Sequence, residues 1–560
     1  MTLRPLLLAA LLVALASSAG AQAPLQIRLD PQIPVVGLSA EVTAQFFETL
    51  PESASLFVRA VGETAYQEFV GVDQGDAFWT VVIDEIPPSG LEVYASYVLD
   101  GETFTEPLQN PEAFPFRVPV LVPAITSAVD LPRRQYRMVS VPFVLGANSG
   151  LPAVLGSDAP IDVFGDDFGE TGDPAQWRLL RWDPLVEDYR DAIPDGELFE
   201  RIRPGAGYWL ITSSGGTFDI DRGLSTGVTI GKGGIFAADV TIPVRTGWNQ
   251  IGNPFLFSIS WDDVRRPIAV EDPVAFTGSF VGGQATLQPW EGYFVFNPGP
   301  SGLLRFRASP SQPVAERTLS ERVQARAGAG AAALRVTAVS GTSTDEVTLG
   351  LQGTDAPLDG PPADLRKPPP VDGSLRLAAR ADGEDWISHF QPREAATWAL
   401  TVTPPAGAAV DLRLDRLGDW PDGLVVEDLD TGRVLEVVDG RVRIETLADV
   451  PTRRLAVRAG AAAVVDPEVL APTLGAPHPN PTAGAVTLPV RLSTPGPARL
   501  DVVDTLGRTV RSLALDLPEG TSAASWDGLD ASGRPVAAGL YLVRLTTEAG
   551  TAAVRVTRLR

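Results

Sequence analysis

The chain contains no cysteine in 560 residues, only two histidines, and only two lysines, Lys232 and Lys367. Without thiols there is no disulfide staple, no cysteine nucleophile and no thiolate metal site, so stability must come from hydrophobic cores of adequate size. His389 and His478 are too few for a histidine-rich metal centre, and neither is accompanied by a nucleophile-elbow motif that would make a Ser-His-Asp triad. Arginine carries nearly all the positive charge. Covalent Lys-Asn cross-links, which can staple bacterial surface sandwiches, are disfavoured by the scarcity of lysine. Beyond the first residues, no segment stays apolar for the roughly 20 positions that a membrane-spanning helix requires. A formal charge of −24 repels phosphate backbones and anionic lipid, which argues against nucleic acid as a partner.

What is present begins with Arg4, the apolar run Leu6 to Ala16, and the small residues Ala19-Gly20-Ala21. This is the three-region pattern of a signal peptide, expected at residues 1–21 with cleavage after Ala21; Pro24 disfavours a cut after Ala23. The remaining length calls for several domains. Fifty prolines and fifty-four glycines punctuate it too often for long helices, and the apolar residues between them alternate or form short runs. The expected fold class is all-β, with several immunoglobulin-like or jelly-roll-like β-sandwich modules in tandem.

Linker-like stretches at Pro119 to Leu131, Arg317 to Ala333 (a candidate short helix) and Ala461 to Pro481 divide the mature chain into four parts. Residues 24–118 read as an immunoglobulin-like or fibronectin-like sandwich, with Asp100-Gly101 as a hairpin turn. Residues 132–307 read as a β domain with a divergent internal repeat. Arg137 to Phe143 has the layout of Asn249 to Phe255, and Arg203 to Ile211 parallels Gln288 to Phe296. This part resembles the strand-rich region that often precedes the sorting domain in exported proteins of the Bacteroidetes and their relatives. Residues 333–460 read as a further sandwich, in which Lys367-Pro368-Pro369-Pro370 should form an extended surface loop, because proline lacks the donor a central strand needs.

Residues 479–560 carry the most specific pattern. Asn480-Pro481-Thr482, Gly507-Arg508, Trp526-Asp527-Gly528, Gly533-Arg534 and Gly539-Leu540-Tyr541 follow in order, with a final strand and an arginine-containing tail. Alternation predicts a seven-strand-like sandwich with Trp526 and Tyr541 as its bulky core residues. This series resembles the type IX secretion C-terminal sorting domain and the related FlgD-like immunoglobulin module. The resemblance implies carriage of a folded cargo across the outer membrane by the type IX secretion machinery after entry into the periplasm. Removal of the sorting domain and release or attachment to surface polysaccharide would follow.

Residue patterns that would mark a reactive site are sparse. The acidic run Phe164 to Asp173, with Asp162 before it, invites a calcium reading but lacks the ligand spacing of an EF-hand, so a solvated loop is favoured. Gly231-Lys232-Gly233-Gly234 and Gly328-Ala329-Gly330 lack the glycine spacing and βαβ setting of phosphate loops and read as turns and linker. Trp177, Trp182, Tyr208, Trp209, Trp248, Trp290 and Tyr293 concentrate in the repeat domain, where a core role is favoured over stacking on sugars. Carboxylate pairs could support glycoside hydrolysis, but 69 acidic residues make their mere presence uninformative. No catalytic, cofactor-binding or metal-ligating residue is therefore assigned. The expectation is a non-catalytic secreted or outer-membrane surface protein, delivered via the periplasm, that binds or adheres, with extracellular polysaccharide as a candidate partner. The alternative is a carboxylate-dependent polysaccharide-degrading enzyme, or the accessory part of an exported enzyme.

Overall fold

A computed structural model describes residues 25–559, apart from 147–156, 193–200, 309–326, 354–363, 445–451, 461–471 and isolated loop positions. The leader at 1–21 and most of the candidate helix at Arg317 to Ala333 lie outside the described residues. The structure is all-β, and the chain divides into two compact units, Met1–Glu316 and Arg317–Arg560.

In the first unit, period-two burial builds a sandwich. Ser53–Ala60 turns Ala54, Leu56 and Val58 inward, as Ala40–Phe46 does with Ala40, Val42 and Phe46. One sheet runs Leu25–Asp30, Ala40–Phe46, Phe78–Ile83, Val72–Gly75; the other runs Gln67–Val70, Ser53–Ala60, Leu91–Leu99, Glu102–Glu106. Asp100 and Gly101 both adopt left-handed φ, 49° and 75°, which makes the tight turn between the last two strands. Glu92 on the central strand is buried and is neutralised from both sides by Arg59 (2.7 Å) and Arg117 (2.9 Å).

Pro119 to Leu131 is not a free connector. Leu121–Val122 pairs with Gly223–Ser225 and Ile125–Thr126 with Asp219–Ile220, and Val120, Val122, Val129 and Leu131 are buried in one core continuous from Leu25 to Ile220. The prolines set the breaks between these strands, but the aliphatic residues demand burial.

The two halves of the repeat have matching geometry. Arg137–Ser140 pairs antiparallel with Gly207–Thr212, and Gly247–Gly252 pairs in the same way with Gly292–Asn297. The halves then exchange bonds reciprocally: Ser140 N–H donates to Trp290 O (2.7 Å) and Gly252 N–H donates to Gly205 O (2.9 Å). Bridges Val139 to Glu291 and Ala206 to Ile251 flank them. In each half a tyrosine hydroxyl accepts a backbone N–H at the turn, Arg203 to Tyr208 (3.2 Å) and Gln288 to Tyr293 (2.7 Å). The equivalent positions Gly205 and Trp290 both take left-handed φ, 79° and 66°. Trp290 meets a backbone cost of about 1–2 kcal/mol there, and its ring is buried against Phe143 and Phe218.

Part of the acidic run is helical rather than a loop. Pro160–Phe168 forms an α-helix with Pro160 in the first turn, where its missing N–H costs nothing. Val163, Phe164 and Phe168 face the core, leaving Asp162, Asp166 and Asp167 exposed.

In the second unit, a single hydrogen-bonded series of strands, Arg433–Leu435 through Ala332–Ser340 to Arg441–Ile444, folds around one core that includes Leu334, Leu349, Leu377, Trp398, Leu412 and Val457. Lys367 departs from the expected surface loop: it and Pro368 are buried, and its Nζ lies 2.7 Å from Asp345 Oδ1. Leu365–Arg366 pairs with Glu384–Gln391 just before it, so the chain enters the sheet where proline content pointed outward. The terminal sandwich packs a three-stranded sheet, Thr473–Leu474, Val486–Leu492, Gly520–Trp526, on a four-stranded one, Thr509–Leu517, Gly496–Asp504, Gly539–Thr547, Gly550–Arg558. Its first short strand precedes Pro479.

The repeat axis yields a test. A Cβ on Gly252 would overlap Ser140 Cβ and crowd Ala206 O. Gly252→Ala should therefore destabilise the first unit by about 1–3 kcal/mol, and Ser140→Gly in the same chain should recover part of that loss. Denaturant unfolding of both variants checks this.

Candidate functional site

The residues of the terminal motif are closing devices of the sandwich. Asn480 Oδ1 accepts Thr557 N–H (2.8 Å), its Nδ2 donates to Arg555 O (3.1 Å), and Thr482 N–H donates to Thr557 O (2.9 Å). The Asn-Pro-Thr segment is thus stitched to the last strand. Arg558 then donates to Gly484 O (3.1 Å) and Val536 O (3.3 Å), filling the space that a side chain at Gly528 would need.

Gly507-Arg508 and Gly533-Arg534 are the ends of two like pentapeptides, Asp504 to Arg508 and Asp530 to Arg534. In each, one aspartate oxygen accepts the N–H groups two and four residues on, and the glycine takes left-handed φ, 79° and 76°. Backbone donation from Arg508 and Arg534 holds both carboxyls below the usual range. The two aspartates escape a reading centred on glycine and arginine, although the shared Asp-x-x-Gly-Arg spacing reveals them. In the core, Trp526 and Tyr541 rings meet edge to face at 5.3 Å, with Trp526 Nε1 bonded to Leu529 O and the Tyr541 hydroxyl to Ala537 O.

Of the seven aromatics in the repeat domain, Trp177, Tyr208, Trp209, Trp290 and Tyr293 are buried. Only Trp182 and Trp248 are half-buried, set beside Tyr189 and Phe296 respectively; the side-chain oxygen of Gln250, two positions along the strand from Trp248, accepts the backbone N–H of Trp182. Burial pushes the Tyr293 hydroxyl well above its ordinary pKa, as suits a structural hydrogen-bond donor and acceptor.

The histidines are not brought together. His389 is half-buried with Nδ1 3.5 Å from Asp364 and Gln391 on its other nitrogen, whereas His478 is exposed and pairs through its backbone with Thr487. Gly231 and Gly234 face each other across a hairpin whose turn residues 232–233 lie outside the described residues, as does Ala329.

The helix does bring Asp166 to Asp219 and Asp221, which sequence spacing could not show; one oxygen from each lies within 4.8 Å of the others. Oxygen donors of this kind suit a hard divalent cation, but exposed carboxylates also gather without one, so the arrangement assigns no ion. Loss of hydration, then repulsion from Asp219, Asp166 and Asp221, pushes Asp167 up to about 6, against the pull of the Asp219 N–H on its carboxylate.

Residues 480–551 match the family of FlgD Ig-like domains. No curated protein matches the chain. Among solved structures, the chain is similar to a tetra-tandem repeat from the extending region of a large adhesion protein. There, identity is 11%, coverage 96% of this chain and 99% of that one, and TM-score 0.16. A biofilm-associated protein BSP domain gives 8%, 96%, 96% and 0.14, and dimeric latent PorU from Porphyromonas gingivalis gives 10%, 96%, 34% and 0.18. TM-scores this low carry no argument about role.

Two tests follow from this geometry. Arg558→Ala leaves two carbonyls without their donor and should loosen Gly550–Arg558 by about 1–3 kcal/mol, read as faster amide exchange in that strand. Asp167, protonated in the fold at a pH where the unfolded chain's aspartate (about 3.9) is ionised, contributes stability that fades as pH rises through about 6. Asp167→Asn should accordingly raise the melting temperature of the first unit at pH 7 and lose that advantage near pH 4, as calorimetry at both values would record.

Proposed function

We propose that this chain is a non-catalytic secreted or cell-surface modular protein whose last module is a type IX secretion sorting domain. The preceding β modules then act outside the cell as binding or adhesive units, with extracellular polysaccharide as the partner class. The observation that carries this reading is the FlgD Ig-like match at residues 480–551, near the C-terminal end of the chain. The ordered motif from Asn480 to Tyr541, which closes that module on its own terminal strand, supports it. So does the leader expected at 1–21, because cargo of this route must first reach the periplasm.

In physical terms, an address module must present a stable surface while tethered to cargo. Here Trp526, Leu500, Val543 and Val556 are fully buried, and the recognisable glycine-arginine turns stand outside as ordered loops. Deleting Pro479 to Arg560 should leave the remaining modules in the periplasm, and unchanged surface delivery would refute the sorting role. A polysaccharide screen with the mature protein should give binding without turnover; conversion of a substrate contradicts the non-catalytic reading.

A further inference from the structure

We propose that Lys367 and Asp345 are joined in the folded protein by an isopeptide bond between Lys367 Nζ and Asp345 Cγ, formed without any added enzyme. The two side chains are 0% and 5% exposed and lie 2.7 Å apart, nitrogen to carboxylate oxygen, so bond formation needs no rearrangement of the backbone. They sit on different segments of one sandwich. Asp345 stands opposite Ala338 in the hairpin of Ala332–Ser340 with Ser343–Leu351, and Lys367 follows Leu365–Arg366.

Residue type supports the assignment. This chain places arginine at nearly every cationic position, yet a lysine occupies this sealed one. A guanidinium stays protonated and cannot attack a carboxyl group, whereas a primary amine can. Burial, ahead of the opposing pull of Asp345, drives the Lys367 amine below its ordinary pKa and so favours the neutral nucleophile. The electrophile is held too: Leu377 N–H donates to Asp345 Oδ2 (2.7 Å) and Glu346 N–H to Oδ1 (3.0 Å). Those two donors stabilise negative charge on the carboxyl oxygens as the amine adds, as an oxyanion site does. Lys367 Nζ also donates to Glu346 O (3.2 Å), which fixes its direction.

The step balances within the pair. Transfer of one proton from the ammonium to the carboxylate gives a neutral amine and a neutral acid. The nitrogen lone pair forms the N–C bond, the C–OH bond breaks, and the hydroxyl leaves as water with a second amine proton. Nothing is oxidised or reduced, and no co-reactant is required. The product ties the segment before residues 354–363 to the one after them.

Mass spectrometry of tryptic peptides from the purified full chain decides the matter. The expected result is a branched species in which Val336 to Arg366 is joined to Lys367 to Arg376, lighter than the two peptides together by one water, and absent from Asp345→Ala and Lys367→Met. Two separate, unmodified peptides from the wild-type protein would overturn the proposal. So would loss of water located at any other residue, such as an Asp-Gly step, without the branched species.

Discussion

With no thiol to staple them, the repeat domain and the terminal sandwich of this chain depend on backbone pairing to close the ends of their sheets. The reciprocal exchange between the halves of the repeat, Ser140 to Trp290 and Gly252 to Gly205, is the plainest case. Each half alone would leave a strand edge and an apolar face exposed; together they bury both. The terminal sandwich uses the same device when Thr482 pairs with Thr557 and Leu559. Glu92 and Glu427 follow the rule that a buried charge must be paired: Glu92 sits between two arginines, and Glu427 between Arg458 (2.7 Å) and Arg491 (3.5 Å).

Much of this was legible in the sequence. Period-two alternation located the strands from Ala40–Phe46 to Gly550–Arg558, because one-sided burial writes itself directly into residue order. The Pro-Phe and Gly-Tyr layouts of the repeat were visible because both copies keep the same turn and the same tyrosine hydroxyl bond. Trp526 and Tyr541 were recognisable as core from size alone. Three features were hidden for physical reasons. The Pro119 to Leu131 segment looked like a linker because proline marks strand ends as well as loops. The Pro160–Phe168 helix was hidden by its acidic face, with Val163, Phe164 and Phe168 buried and Ile161 packed beside them. Lys367 was placed outside by the prolines after it, and nothing in composition reveals that Asp345, distant in sequence, waits beneath it.

The same separation applies to sites. Carboxylates gathered from a helix and a distant strand, such as Asp166 with Asp219 and Asp221, are products of topology and carry no sequence spacing. Aromatic content, in contrast, was read in the right direction: five of the seven repeat-domain rings serve the core. The five buried rings and the turn residues of the terminal motif are thus accounted for by folding and closure. The most specific recognition signal left is the terminal module itself, matched over residues 480–551.

The most direct measurement of the central claim is to fractionate the producing cells into cytoplasm, periplasm, outer membrane and medium and to determine the termini of the protein in each by mass. The account predicts a mature chain beginning at Gln22 in the medium or on the outer membrane. A stable chain still beginning at Met1 and confined to the cytoplasm would contradict it.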